Sequence, residues 1–272
     1  MALYQGRALH SGSRPRRPAG LLRRIARVAA VLLVLAALAH VPWGTLRSRL
    51  AKVTDVRVEG TRYLDPAQVI EIAGIRRGDD LFAIDRARAR QALLLQPRIH
   101  EAQVTRRPLR GVEIAVVERQ PVLVVPHGVP WEIDSAGVLL DPLQRGVTAD
   151  VPLLIGSDVQ DLKAGTHVRS PEVQRGLAWA RSLARRELQL SGQVSEIDVS
   201  DPLRTALTLL SGTRVVGPAW PPSLQRLSAL RVVLNDLERK GTPAEEVDVR
   251  FDRQVIVRPA TLPAAGPGTD RG

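Results

Sequence analysis

The sequence predicts an α+β protein with three parts: a single N-terminal transmembrane helix, a compact β-α-α-β-β unit, and a mixed β-rich region with two or more helices. Three observations carry that prediction. Val28 to Ala39 (VAAVLLVLAALA) is an unbroken apolar run of twelve residues in a chain of 272, and no charged residue follows it before Arg47. Residues 53–121 switch between period-two apolar patterns and short amphipathic blocks whose ends are marked by Asp, Pro and Gly. Residues 122–258 repeat strand-like alternation around two longer amphipathic stretches.

Residues 1–27 are rich in Gly, Ser, Pro and Arg without apolar periodicity over most of their length, and are predicted to be a disordered cytoplasmic tail. The interval 28–46 is predicted to span the membrane. A spanning helix needs about 20 apolar residues and roughly 17 at the least, because each residue rises only about 1.5 Å. Arg23, Arg24 and Arg27 on one side, and Arg47 and Arg49 on the other, would reach the headgroups, with Trp43 at the interface. Two other readings compete. A buried core helix conflicts with the Arg-rich flank and the missing polar face. A cleavable signal fits the small-x-small triplet Ala37-Leu38-Ala39, but 27 residues ahead of the run are too many for a signal. An uncleaved anchor is therefore predicted.

The formal charge is +11, and its distribution sets the topology. Ten basic residues and no acidic one precede Val53, seven of them on the N-terminal side of the apolar run. The positive-inside rule then places the N-terminus in the cytoplasm and the rest outside, as a type II single-pass protein of the cytoplasmic membrane. Beyond residue 52 the balance is near neutral, with 29 basic against 28 acidic residues, and the whole chain holds only eight aromatics. That argues against nucleic-acid binding. With no cysteine there are no disulfides, thiolate metal sites or thiol nucleophiles, so the outer part must be held by its cores alone.

In chain order, Val56 and Val58 alternate with Asp55, Arg57 and Glu59, a half-buried strand ending at Gly60. Asp65-Pro66-Ala67-Gln68 supplies an N-cap, a proline at the first helical position and a capping amide, and Gly74 closes that two-turn helix. A second helix runs from Asp85 to Leu95 and stops before Pro97. Two strands follow, Ile99 to Arg106 and Val112 to Arg119, joined by a hairpin loop at Arg107-Pro108-Leu109-Arg110-Gly111.

Val56-x-Val58-x-Gly60, Gly78-x-x-Leu81-x-x-x-Asp85 and Glu118-Arg119-Gln120-Pro121 on this β-α-α-β-β frame resemble a POTRA domain. Directly after one N-terminal anchor, the unit over 53–121 resembles that of the FtsQ/DivIB family of bacterial division proteins. The family's usual Pro-Trp-Val before the second strand is here Pro97-Arg98-Ile99, and its Trp-Pro in the hairpin is Arg107-Pro108. Both ring contacts are thereby lost.

Beyond Pro121, a β domain is predicted over 122–258. Trp131-Glu132-Ile133 and Val138-Leu139-Leu140 flank the turn tetrad Asp134-Ser135-Ala136-Gly137. Val151 to Gly156 is similar to a Pro-Leu-hydrophobic-Gly segment of the family. A helix starts at Ser170-Pro171 with a stripe reaching Leu188. Strands are predicted at Ser195 to Val199, Ala206 to Leu210 and Arg214 to Val216, then a helix carrying Leu224, Leu227, Leu230, Leu234 and Leu237. Val247, Val249 and Phe251 alternate with polar residues, and Val255 and Val257 continue past a short break at Arg253-Gln254. Residues 259–272 are predicted to be a disordered tail.

No catalytic constellation, cofactor loop or metal cluster is visible, so the protein is not expected to be an enzyme or to hold a cofactor. The five histidines (His10, His40, His100, His127, His167) have no ligand spacing, and Asp134 and Asp141 around Gly137 read as turn chemistry, not an acid pair. A chain that ends in a strand leaves that strand at a sheet edge, open to strand addition by a partner. The resemblance implies that the protein holds an FtsB/FtsL pair and that FtsB docks on this closing strand, beside a Tyr in a Val-Asp-Leu-Arg-Tyr run that is here Val247-Asp248-Val249-Arg250-Phe251. Phe251, Arg253, Gln254, Val255 and Val257 are the candidate contacts; the alternative for Phe251 is a core aromatic on a half-buried strand. The resemblance further implies a mid-cell scaffold in contact with septal wall-synthesis enzymes and upstream divisome proteins. An anchored POTRA protein of outer-membrane transport is the alternative, and about 14 residues after Arg258 hold neither a barrel nor further POTRA units.

Overall fold

A computed structural model describes residues 19–40, 51–107, 111–142, 149–159, 163–252 and 254–260. Contacts divide the chain into two units, Met1–Ala51 and Lys52–Gly272.

The first unit contains helix α1, Ala19–His40. It begins nine residues ahead of the predicted span, so residues 19–27 are helical rather than disordered. The physical reason is that no proline or glycine interrupts Leu21 to His40, and arginine is as good a helix former as leucine. No helix among the described residues is long and apolar enough to cross a membrane, since α1 takes in Arg23, Arg24 and Arg27 along with the apolar run. Residues 41–46 of the predicted span lie outside the described residues.

The second unit opens with β1 (Asp55–Glu59), α2 (Pro66–Ala73), α3 (Arg86–Leu94), β2 (Ile99–Arg107) and β3 (Gly111–Glu118). Both helix starts are set by the predicted caps: the Asp65 carboxylate accepts from the Ala67 N–H, and the Asp85 carboxylate from those of Ala87 and Arg88. Gly74 closes α2 in the left-handed conformation that its φ of 66° requires. The sheet order is β1-β3-β2, with β1 parallel and β2 antiparallel to β3. Val69, Leu81, Leu93, Ile99 and Ile114 form its core. The buried Glu118 accepts the backbone N–H groups of Arg62, Tyr63 and Leu64 at 2.8, 2.9 and 3.1 Å, fastening the β1–α2 loop to the end of β3. The hairpin tip predicted at 108–110 lies outside the described residues.

The chain continues through β4 (Pro121–His127), β5 (Val129–Asp134), β6 (Leu139–Leu140), β7 (Leu153–Ile155), α4 (Pro171–Leu183), β8 (Val194–Asp198), β9 (Arg204–Leu209), β10 (Arg214–Pro218), α5 (Leu224–Lys240), β11 (Ala244–Asp248) and β12 (Ile256–Pro259). These strands make one nine-stranded sheet in the order β12-β11-β10-β9-β8-β7-β4-β5-β6. β7 is a central strand with parallel neighbours on both sides, and Pro152 stands immediately ahead of its first residue. α4 ends at Leu183, and Leu188, predicted on its stripe, enters the core from the following loop.

Val247, Val215, Leu207, Ile197 and Leu154 lie in one register row and share a single core with Val173, Leu177, Trp179, Leu183, Leu227, Leu230 and Leu234. α4 and α5 therefore cover the same face of the sheet. Trp179 is its largest fully buried side chain. It lies against Gly217, where a Cβ would come within 2.6 Å of the ring, and its Nε1 donates to the Ala219 carbonyl at 3.1 Å.

Candidate functional site

The two ends of the nine-stranded sheet are finished differently. At β6 the segment 165–168 lies along the strand: Gly165 N–H donates to Leu139 O at 2.8 Å, Leu139 N–H to Thr166 O at 2.9 Å, and Val168 N–H to Gly137 O at 2.9 Å. That edge is closed. At the other end, β12 pairs with β11 and with no second strand among the described residues.

The register states which backbone groups β12 offers. Ala260 N–H donates to Pro243 O at 3.0 Å, so by strand alternation the N–H groups of Ile256 and Arg258 also face β11. Val257 sits in the intervening pair, opposite Val247, with its N–H and C=O directed away from the sheet. Pro259, two residues on, faces the same way and has no N–H to offer. The side chains of Val255 and Val257 pack partly on the core, whereas Ile256, 45% exposed, and Arg258, 3.7 Å from Glu246, lie on the opposite face. Gln254 is exposed, and Arg253 lies outside the described residues.

Phe251 is placed differently from the sequence prediction. The alternation through Val247, Val249 and Phe251 suggested one strand interrupted once before Val255, but β11 ends at Asp248 and the chain reverses into antiparallel β12. Asp248 drives the change: its carboxylate accepts the Arg250 N–H at 2.9 Å, a local side-chain-to-backbone bond that competes with the ladder. Arg226 of α5 holds the turn from outside, bonding to the Arg250 carbonyl and pairing with Asp252. Phe251 thus stands in the bend, 43% exposed, with the Arg250 guanidinium 5.9 Å from its ring centroid. It is not a core residue.

The Arg250 side chain also grips Asp248 through Nε at 3.1 Å from both carboxylate oxygens and Nη2 at 2.7 Å. That hydrogen-bonded grip, aided by the Arg250 N–H and by charge attraction, holds the Asp248 carboxyl below its ordinary value of 3.8. A depressed folded value means the contribution to stability is present above the unfolded carboxylate's pKa and is lost as pH falls through the lower folded one. Asp248→Asn should therefore be less stable than the parent at neutral pH. The gap should narrow as pH falls below the ordinary carboxylate value, as read from urea midpoints at neutral and acid pH.

The same end of the sheet holds two exposed apolar residues that sequence reasoning did not single out. Pro218 of β10 pairs with Arg204 of β9, and Val249 N–H bonds to Val216 O, so Leu203, Trp220 and Phe251 all leave the sheet at one end. Leu203 is 84% and Trp220 54% exposed. The Trp220-Pro221-Pro222 run, an aromatic beside two helix-breaking prolines, was the available signal.

Elsewhere the Asp134 carboxylate, weighed above as half of an acid pair, has structural partners. Asp134 accepts from the N–H groups of Ala136 and Val138 at 2.9 and 2.8 Å and from Arg119 Nη1 at 2.8 Å, which is turn chemistry with an ion pair. The Asp141 carbonyl is bonded by Arg98. A groove of about 570 Å³ between the end of α5 and the β9–β10 turn is lined by Leu209, Leu210, Leu234, Leu237 and Pro243, with Glu238 as its single titratable group. Among the described residues no group of three or more His, Cys, Asp or Glu side chains can hold a metal ion.

Comparison with known proteins adds a family to this geometry. Residues 51–119 match the family described as POTRA domain, FtsQ-type. The chain is 31% identical over 243 residues to the cell division protein FtsQ of Streptomyces coelicolor, covering 86% of each chain. It is 28% identical over 274 residues to the cell division protein FtsQ of Rhodothermus marinus, covering 92% of each. Against that of an Anaeromyxobacter species it is 28% identical over 232 residues, or 82% of this chain and 78% of the relative.

Proposed function

The chain belongs to the FtsQ family of cell division proteins, and on that premise we propose that it is a divisome scaffold that acts by binding and performs no chemistry. In this reading the run Val28–Ala39 and its neighbours anchor the chain in the cytoplasmic membrane with the N-terminus inside, and the unit from Lys52 onward faces the outer compartment. The asymmetry of seven basic residues before the run and three between it and Val53 supports that orientation. At mid-cell the protein would hold an FtsB/FtsL-type pair and help gather upstream divisome proteins and septal wall-synthesis enzymes.

The observation that carries the proposal is the edge at β12, unpaired among the described residues, beside a bend that exposes Phe251. An added strand gains main-chain hydrogen bonds along Val255 and Val257, and alternate side chains supply selectivity. The exposed Phe251, with Trp220 and Leu203 at the same end of the sheet, offers the apolar anchor that a bare edge lacks.

Phe251→Glu tests this directly. Because Phe251 sits in a bend and outside the core, the variant should fold as the parent does. It should lose about tenfold or more in capture of a purified FtsB/FtsL-type complex, since a carboxylate would be buried unpaired at the contact. Undiminished capture by the folded variant would remove Phe251 from the interface, and uniform envelope staining of a fluorescent fusion in dividing cells would count against the scaffold role itself.

A further inference from the structure

β3 ends at Glu118 and β4 begins at Pro121, so only Arg119 and Gln120 connect the small sheet to the large one. Each sheet has its own core. A two-residue connection between separately cored bodies ordinarily acts as a hinge, because relative motion is the default unless the interface is extensive. Here Lys52–Gly272 nevertheless forms one compact unit. The residues at the junction give a physical reason.

Arg98, just ahead of β2, and Glu132, on β5, are 3% and 1% exposed, and Arg98 Nη1 lies 2.9 Å from Glu132 Oε2. Arg98 Nη2 donates to the Asp141 carbonyl, and Glu132 Oε1 accepts the Ala149 N–H at 3.2 Å. A second pair runs alongside, from Arg119 Nη1 to Asp134 Oδ2 at 2.8 Å. The Arg119 N–H donates to the Arg98 carbonyl at 2.7 Å and so joins the two pairs. The Arg98 guanidinium belongs to the small-sheet side, that of Arg119 to the connection, whose N–H is bonded to Arg98, and both carboxylates to the β5–β6 hairpin.

We propose that these paired charges are an orientation lock: they fix the angle between the two sheets, so that the free β12 edge is presented in one direction relative to the small domain. Apolar contact at a junction is non-directional and tolerates sliding. A buried guanidinium–carboxylate ion pair does not, since a rotation that parts it leaves the desolvated Arg98 guanidinium without its counter-charge and Glu132 with the Ala149 N–H alone. Replacing such a pair with apolar residues is often neutral for stability, so its effect here is on the angle more than on the depth of the native state. The lock is independent of which partner occupies β12.

The absence of cysteine makes the test clean, because two introduced thiols are the only ones in the chain. Gln103→Cys on exposed β2 and Leu203→Cys on the large sheet take spin labels in the full-length protein, and pulsed dipolar spectroscopy reads the distance between them. The parent should give one narrow distribution. The double variant Arg98→Leu with Glu132→Leu removes both charges together, and should widen the distribution at least about twofold while the thermal midpoint stays close to the parent's. A double variant as narrow as the parent overturns the lock. Should that variant fail to fold, Arg119→Leu, at a partly exposed position, carries the same test: a broader distribution supports the lock, and an unchanged one overturns it.

Discussion

Val257→Pro is expected to cut capture of a strand-adding partner about tenfold or more while leaving the protein folded. Proline removes one backbone donor, and at position 257 that donor faces away from β11. The native ladder therefore keeps its hydrogen bonds, and the loss falls on the bonds a partner strand would make. Pro259 already occupies the equivalent outward position two residues on, so the strand accepts a proline in that register. One lost main-chain bond plus the displaced partner strand corresponds to about 1.4 kcal/mol or more, which is the tenfold expected. Ile256→Pro is the contrasting control. Its N–H faces β11, so that variant should break the hairpin itself and lower stability. Titration of the purified partner against the parent and both variants, with circular dichroism to confirm folding, gives the answer. Full affinity in Val257→Pro would mean that the partner does not extend the sheet at β12.

Trp179→Ala should be the most damaging single change to the fold, at about 3–5 kcal/mol, because it deletes the largest fully buried side chain of the large core. The site cannot collapse easily. Gly217 supplies a floor without a side chain beneath the ring, and Leu177, Leu183 and Val215 are already fully packed. The Ala219 carbonyl would keep its bond from Thr205 Oγ1 at 2.9 Å, so the loss is chiefly one of packing and not of a hydrogen bond. For a unit of this size the thermal midpoint should fall by about 10 °C or more. A measured change below about 1 kcal/mol would show that the ring does not support the sheet that carries β10 and β11.

The elements that local chemistry specifies were readable residue by residue. Asp65, Asp85 and Ser170 each mark a helix start through a side-chain-to-backbone bond that spans two or three residues, and Gly74 marks a helix end through its left-handed backbone. Strands with one face in the core were readable from alternation, as in Val112, Ile114 and Val116. β4 was not: Pro121 to His127 is buried on both faces over much of its length, so its apolar residues run together without a period. The bend at Phe251 was hidden because the residue pattern continues smoothly while the Asp248 carboxylate takes the backbone out of the ladder.

The sequence alone settled the order of the helices after the first, their N-terminal caps at Asp65, Asp85 and Ser170, the alternating strands and the near-neutral charge beyond residue 52, because each is written in residue types and their local spacing. Tertiary structure decided that β12 is the open edge among the described residues while β6 is covered, that Phe251 lies outside the core, and that Arg98 finds Glu132 at a buried junction. Those outcomes rest on contacts between residues tens of positions apart, where burial and pairing depend on which strands the folded chain brings side by side.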